Sequence, residues 1–166
     1  MDATLLSAAV FRQALGRFAT GVTVITAERE TGKVHGMTAN SFTAVSLEPL
    51  LILVCVAEEA KMLKVLKKTS RFGVSILKNH QRAISEFFAQ PEQDPETERE
   101  LGIRFQWTAS GIPVLEEALA QLSCSVVSSH ITGDHTIFIG AVETAEIYKG
   151  EPLIFFRGRY RSIGPG

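Results

Sequence analysis

The connections near the end of this chain are too short for anything but hairpins. Thr132-Gly133-Asp134-His135 and Lys149-Gly150-Glu151-Pro152 separate three β-rich runs, about Leu119 to Ile131, Thr136 to Tyr148 and Leu153 to Tyr160. A parallel crossover needs roughly a dozen residues or more, so these runs pair antiparallel. The same logic applies upstream. Val22-Thr23-Val24-Ile25-Thr26 is β-branched throughout, and a charged turn from Glu28 to Lys33, with Gly32 free to take a positive φ, returns the chain into Val34. Leu47-Glu48-Pro49 then turns it into Leu50-Leu51-Ile52-Leu53-Val54-Cys55-Val56, whose unbroken hydrophobicity predicts a core strand covered on both faces. With Arg71 to Leu77 the pattern predicts six or seven antiparallel strands, and closure into a small barrel is the usual way to remove their exposed edges.

Three short helices accompany the strands. Asp2 or Thr4 is placed to cap the first, which runs to about Phe18 with Leu6, Val10, Phe11, Ala14, Leu15 and Phe18 on one face. Glu58 to Lys68 carries Met62, Val65 and Leu66 on one side and Lys61, Lys64, Lys67 and Lys68 on what reads as a solvated face. Gln81 to Phe88 turns Ile84, Phe87 and Phe88 inward. The proline-broken, acidic segment Gln90 to Glu100 reads as a surface loop with at most one helical turn and no visible chemistry.

Between the early strands lies Gly36-Met37-Thr38-Ala39-Asn40-Ser41-Phe42-Thr43-Ala44-Val45-Ser46, neither a good helix nor an ordinary strand. Thr38, Asn40, Ser41, Thr43 and Ser46 supply hydrogen-bonding side chains among small residues, and no charge interrupts them. A planar ligand with a polar edge, such as a flavin, suits that edge better than a nucleic acid or a metal ion. The plain alternative is a Ser/Thr-rich strand and turn.

Composition narrows the classes. A length of 166 residues suits one domain, 1–166, and 17 basic against 18 acidic residues supply no field for nucleic acid or an anionic membrane. Cys55 and Cys124 sit far apart in apolar runs, as buried free thiols do in a reducing compartment. The acidic opening Met1-Asp2-Ala3-Thr4 does not resemble a secretory signal, and the longest apolar run, Leu50 to Ala57, is far short of the ~20 residues that span a bilayer, so a cytoplasmic protein is expected. No Gly-x-Gly-x-x-Gly, Walker, Gly-x-Ser-x-Gly or His-Glu-x-x-His pattern is present.

Seven pieces, in order, resemble the short-chain flavin reductase family: Phe18 to Thr26, Gly36 to Ser46, Leu47 to Leu51, Cys55-Val56, Arg71 to Leu77, Gly133-Asp134-His135 and Gly158-Arg159-Tyr160. These are small NAD(P)H:flavin oxidoreductases that feed reduced flavin to two-component monooxygenases. The resemblance implies a mainly β, Greek-key split β-barrel of the FMN-binding type, and a homodimer with FMN or FAD at its interface. It also implies NADH or NADPH as hydride donor, and an oxygenase reached by diffusion of the reduced flavin. It places Met37, Thr38, Ala39, Asn40 and Ser41 against the ring and ribityl chain, and Cys55, Val56 and Ala57 along it through backbone atoms. Lys61 is either the phosphate ligand or a plain surface lysine, and here Ala57, Glu58 and Glu59 depart from the commoner Asn, basic residue and Ser. Phe88 and Ala89 approach the flavin or belong to the core, while Gly133, Asp134 and His135 form a turn over the ring, with His135 touching the nicotinamide. Tyr160 walls the same pocket. Two related activities share the fold: a flavoredoxin-like electron carrier, and a flavin-dependent reductase of a corrin or ferric complex.

Overall fold

The structure is a computed structural model and describes residues 6–30 and 32–163. Strands β1 (Thr20–Gly21), β2 (Thr23–Glu30), β3 (Lys33–Ala39), β4 (Phe42–Leu47), β5 (Leu50–Ala57) and β6 (Arg71–Ile76) occupy the first half with helices α1 (Ala8–Leu15) and α2 (Lys61–Thr69). Helices α3 (Arg82–Phe88) and α4 (Pro95–Glu100) lead to β7 (Phe105–Trp107), β8 (Pro113–Leu115), β9 (Ala120–Thr132), β10 (His135–Ile147), β11 (Ile154–Phe156) and β12 (Arg159–Arg161). Seven strands form one antiparallel sheet in the order β3-β2-β6-β9-β10-β5-β4.

That order explains the barrel. β3 and β4 stand at opposite edges of the sheet, yet only Asn40 and Ser41 separate them in the chain. The sheet must therefore roll until its edges meet, and a pair of bonds across Ser41 and Cys55 fastens the joint: Cys55 N donates to the Ser41 carbonyl at 3.2 Å and Ser41 Oγ to the Cys55 carbonyl at 3.0 Å. Because β3 and β4 do not pair with each other along their length, the barrel stays split.

Inside lies a cluster of Ile25, Val54, Val56, Met62, Leu66, Phe72, Val74, Cys124 and Phe138. Helix α2 plugs it with Met62, Leu63, Val65 and Leu66, each side chain contributing about 1.5–3 kcal/mol by leaving water. A second cluster, Val22, Val24, Leu77, Phe87, Phe88, Leu115 and Leu153, packs α3 and the small hairpins outside the barrel.

Several expectations change. The Gly36 to Ser46 stretch is two strands and a joint, because its small β-compatible residues pair readily once a neighbour is present. β5 is covered on one face only: Ile52, Val54 and Val56 are buried while Leu50 is 54% exposed and Leu51, Leu53 and Cys55 are half-buried. Cys124 is buried as expected, and both thiols are free. The run from Leu153 to Tyr160 is a hairpin, broken where Arg157 (φ 54°) and Gly158 (φ 72°) both take left-handed backbone. The proline-broken segment contains α4, capped by Asp94, whose carboxylate accepts from Thr97 N at 2.8 Å. Ser7 caps α1; Asp2 and Thr4 lie outside the described residues. The apolar face of α1 is not in the core, with Leu6 79%, Phe11 54% and Leu15 58% exposed. Among the described residues no helix is long and apolar enough to cross a membrane.

Gly73 marks the tightest packing. A Cβ there would stand 2.3 Å from the Pro113 carbonyl oxygen and 2.6 Å from Thr26 Oγ1, two atoms that are hydrogen-bonded to each other. Gly73→Ala is expected to destabilise the fold by about 1–3 kcal/mol, lowering the thermal midpoint by roughly 2–10 °C for a domain of this size. A calorimetric melt checks it; an unchanged midpoint would mean that β8 docks loosely on the sheet.

Candidate active site

Three elements converge beside the edge strand β3. The end of β5 delivers Ala57, the start of α2 delivers Ala60, Lys61 and Met62, and the end of α3 delivers Phe88 and Ala89; with His35 to Thr38, Glu59, Gln90, Pro91 and Gln93 they line a cleft of about 340 Å³. Its floor depends on a glycine. A Cβ at Gly36 would lie 2.4 Å from the Phe88 ring, so only glycine lets that ring seat against β3. Phe88 is both core and wall, 3% exposed and edge-on to Phe87 at 5.0 Å. Gln93 Nε2 donates to the Gly36 carbonyl at 2.8 Å and ties the segment before α4 to the same place.

Ser85 links this cleft to the rest of the molecule. Fully buried, it accepts from Thr38 Oγ1 through its carbonyl at 2.7 Å and shares a 2.8 Å bond between its hydroxyl and the Tyr160 hydroxyl. Tyr160 packs edge-on to Phe155 at 5.4 Å, beneath the Arg82 guanidinium.

The charges are unevenly distributed. Lys61 Nζ meets Glu92 Oε1 at 2.7 Å, and this ammonium holds the Glu92 carboxyl below the usual range. Both groups are exposed and the pair is screened by water, so an incoming anion displaces Glu92 readily. The start of α2 has Ala60 at its N-cap and no side-chain cap, which leaves first-turn N–H groups for an anion. Glu58 is drawn away by the Thr136 hydroxyl, which donates to its carboxylate. Glu59 stays on the cleft wall.

On the neighbouring strand, His135 pairs with Ala57 across the β10–β5 ladder, and Glu58 N donates to the Asp134 carbonyl at 2.9 Å. Gly133 (φ 65°) makes the two-residue turn possible. Asp134 Oδ1 lies 2.7 Å from His135 Nδ1, and the imidazole holds that carboxyl below the usual range. A carboxylate can only accept, so Nδ1 carries the proton and Nε2 is left to face a ligand.

The domain defined as flavin reductase-like matches residues 15–164. The chain belongs to the flavin reductase-like family. It is 45% identical over 92% of its length, and 84% of the relative's, to an NADH-dependent flavin reductase of Rhodococcus sp. It superposes on the styrene monooxygenase flavin reductase of Pseudomonas putida S12 with a TM-score of 0.84, at 39% identity, covering 94% of this chain and 98% of that one. The NADH:FAD oxidoreductase SgcE6 of Streptomyces globisporus C-1027, solved with NAD and FAD fragments, gives 0.87 at 36% identity with 98% of each chain covered. The split barrel is thus the family's fold.

Of the site residues expected from the flavin reductase resemblance, the cleft brings together Met37, Thr38, Ala57, Lys61, Phe88 and Ala89. Ala39, Asn40, Ser41, Cys55 and Val56 continue along the adjoining barrel edge outside it, with Val56 fully buried and Asn40 Nδ2 donating to Thr20 Oγ1 at 3.3 Å. Gly133, Asp134 and His135 stand one strand away, and Tyr160 anchors α3 from behind. The hydroxyls of Thr38 and Ser41 are spent inside the protein on the Ser85 and Cys55 carbonyls. His35 and Gln93 went unrecognised from sequence. Strand alternation could have found His35, two residues before Met37 and so on the same face; nothing local distinguishes Gln93, which reaches Gly36 only across 57 residues.

His35 is more than half-buried, and burial first, then Arg29 and Lys61, push its imidazole below the ordinary 6.5. The folded state therefore binds this proton less readily than the unfolded chain. The associated stability is fully present above about pH 6.5 and is lost as pH falls through the depressed folded value. His35→Gln should flatten the stability profile in that acidic window, read by denaturant unfolding between about pH 8 and about pH 5. A variant whose slope equals the parent's would place the imidazole in water.

Proposed function

We propose that the protein is an NADH-dependent flavin reductase that holds a flavin in the cleft between β3, the β5–α2 junction and the end of α3, and releases it reduced to a separate oxygenase. One observation carries this reading. In a chain with the family's fold, an apolar floor of Met37 and Phe88 and a cationic helix start at Lys61 share one cleft beside an edge strand. The residues suit the ligand. A volume of about 340 Å³ falls in the range of small-molecule sites. Thioether and phenyl groups favour a flat ring, the outward backbone groups of β3 can meet a polar ring edge, and Lys61 with the uncapped helix start can meet a phosphate.

A bound flavin would supply the hydride acceptor, receiving two electrons and one proton together as hydride from the nicotinamide of NADH. The chain's own task is to orient the two ligands and exclude water. His135, held through Nδ1 by Asp134 and paired with Ala57, keeps Nε2 for a ligand, which supports a positioning role toward the nicotinamide. Such a reaction draws on the cytoplasmic pool of NADH, which makes the cytoplasm its compartment. Similarity to the styrene monooxygenase flavin reductase supports an oxygenase as the acceptor protein.

The exposed apolar side chains support a homodimer. Val45, Leu47 and Leu50 at the β4–β5 edge, Val127 and Ile131 on β9 and Phe11, Leu15 and Phe18 at α1 are between 47% and 78% exposed, apart from Leu47 at 84%. Apolar patches of this extent mark interfaces. Light scattering on the purified chain should return twice the 18.1 kDa monomer mass; an active monomer would contradict the dimer.

Anaerobic addition of NADH to the protein with FMN or FAD should bleach the flavin's visible band, and failure to bleach either would end the reductase reading. His135→Ala should slow that reduction and raise the KM for NADH with flavin affinity nearly unchanged, and His135→Asn should restore part of the rate. A pH–rate transition that is present in the parent and vanishes in the Asn variant would instead make the imidazole a proton donor or acceptor.

A further inference from the structure

The lysines of α2 do more than solvate a helix. Lys61, Lys64 and Lys68 share one side of α2, and with Arg29, Glu30, His35 and Val65 they line a second basin of about 460 Å³. Its charge is largely uncompensated. Glu30 is the sole carboxylate in the lining, and it already meets Lys33 Nζ at 2.9 Å and Arg29 at 4.0 Å. Among the described residues, Lys64 and Lys68 enter no ion pair. Like charges so spaced on a helix oppose its folding. A bound anion would relieve them.

The basin adjoins the cleft. His35 and Lys61 line both, and the imidazole feels the charges of Arg29 and Lys61 together. From Lys61 to Lys68 is seven residues of helix, roughly 10 Å along the axis. That distance suits a pyrophosphate and ribose leading away from a first phosphate at Lys61. No Phe, Tyr or Trp lines the basin and the His35 imidazole is its one ring, so whatever enters is held chiefly by charge.

We propose that this basin receives the second phosphate and adenosine of FAD, and that Arg29, Lys64 and Lys68 make the protein prefer FAD to FMN. The proposal rests on the cleft being the flavin site. FMN and FAD share ring, ribityl chain and first phosphate and carry similar charge near neutral pH, so a general positive field does not separate them. Cations placed beyond Lys61 do.

The test is flavin affinity of the full chain, by fluorescence titration without NADH, for wild type, Lys61→Ala and the double variant Lys64→Gln/Lys68→Gln. Glutamine removes the charge at a similar helix propensity and nearly the same reach, and a far-ultraviolet melt verifies folding. Wild type should bind FAD more tightly than FMN. The double variant should lose about tenfold or more for FAD while FMN and riboflavin stay within about twofold, and added salt should weaken FAD most. Lys61→Ala should weaken FMN and FAD alike and spare riboflavin. Equal losses of FMN and FAD in the double variant, or no loss, would overturn the proposal. So would unchanged flavin affinities with a raised KM for NADH measured with FMN as acceptor, which would give the basin to the nicotinamide nucleotide. Wild type that binds all three flavins without preferring FAD removes the basin alone; wild type that binds none removes the reading of the cleft.

Discussion

Everything here depends on the joint at Asn40 and Ser41. Two residues connect strands at opposite edges of a seven-stranded sheet, so the sheet has no freedom to lie open. The Ser41–Cys55 bonds and the Thr23 hydroxyl, which donates to the Ala39 carbonyl at 2.7 Å, hold that joint closed. Because β3 ends there without pairing β4, its edge stays available, and an edge strand with free backbone groups beside an apolar cleft is a place for a ligand to dock. Closure of the core and exposure of the site are one geometric event.

The cleft is then built by elements that have structural reasons to be where they are. α2 is driven down by Met62, Leu63, Val65 and Leu66, and its start is left at the rim with Lys61. α3 is held by Phe87 and Phe88 in the outer cluster and by Ser85, which bonds both Thr38 and Tyr160. Thr38 and Tyr160 thus serve the site by fixing α3. A polar side chain beside a candidate site can act through the element it braces.

Much of this was legible in one dimension. Short Gly-containing turns dictated antiparallel pairing, the helical spacing of Met62, Val65 and Leu66 dictated the buried face of α2, and the Gly133-Asp134 turn matches its type by composition. These are local properties, set by backbone sterics and by the period of the hydrophobic pattern. Family motifs pointed to several of the residues that line the candidate cleft.

Tertiary structure decided the rest, because the relevant distances are not distances along the chain. Unbroken hydrophobicity in β5 could not reveal that one of its faces stays half open, since burial belongs to what packs against a strand. Gln93 and Gly36, Ser85 and Tyr160, and Lys61 and Glu92 meet across 57, 75 and 31 residues. Strand order, which no turn specifies, brings them together. By itself the sequence determined the antiparallel elements, their apolar faces and a family; only rolling the sheet decided which hydroxyls were spent inside, which cations share a cavity, and how His35 comes to face Lys61.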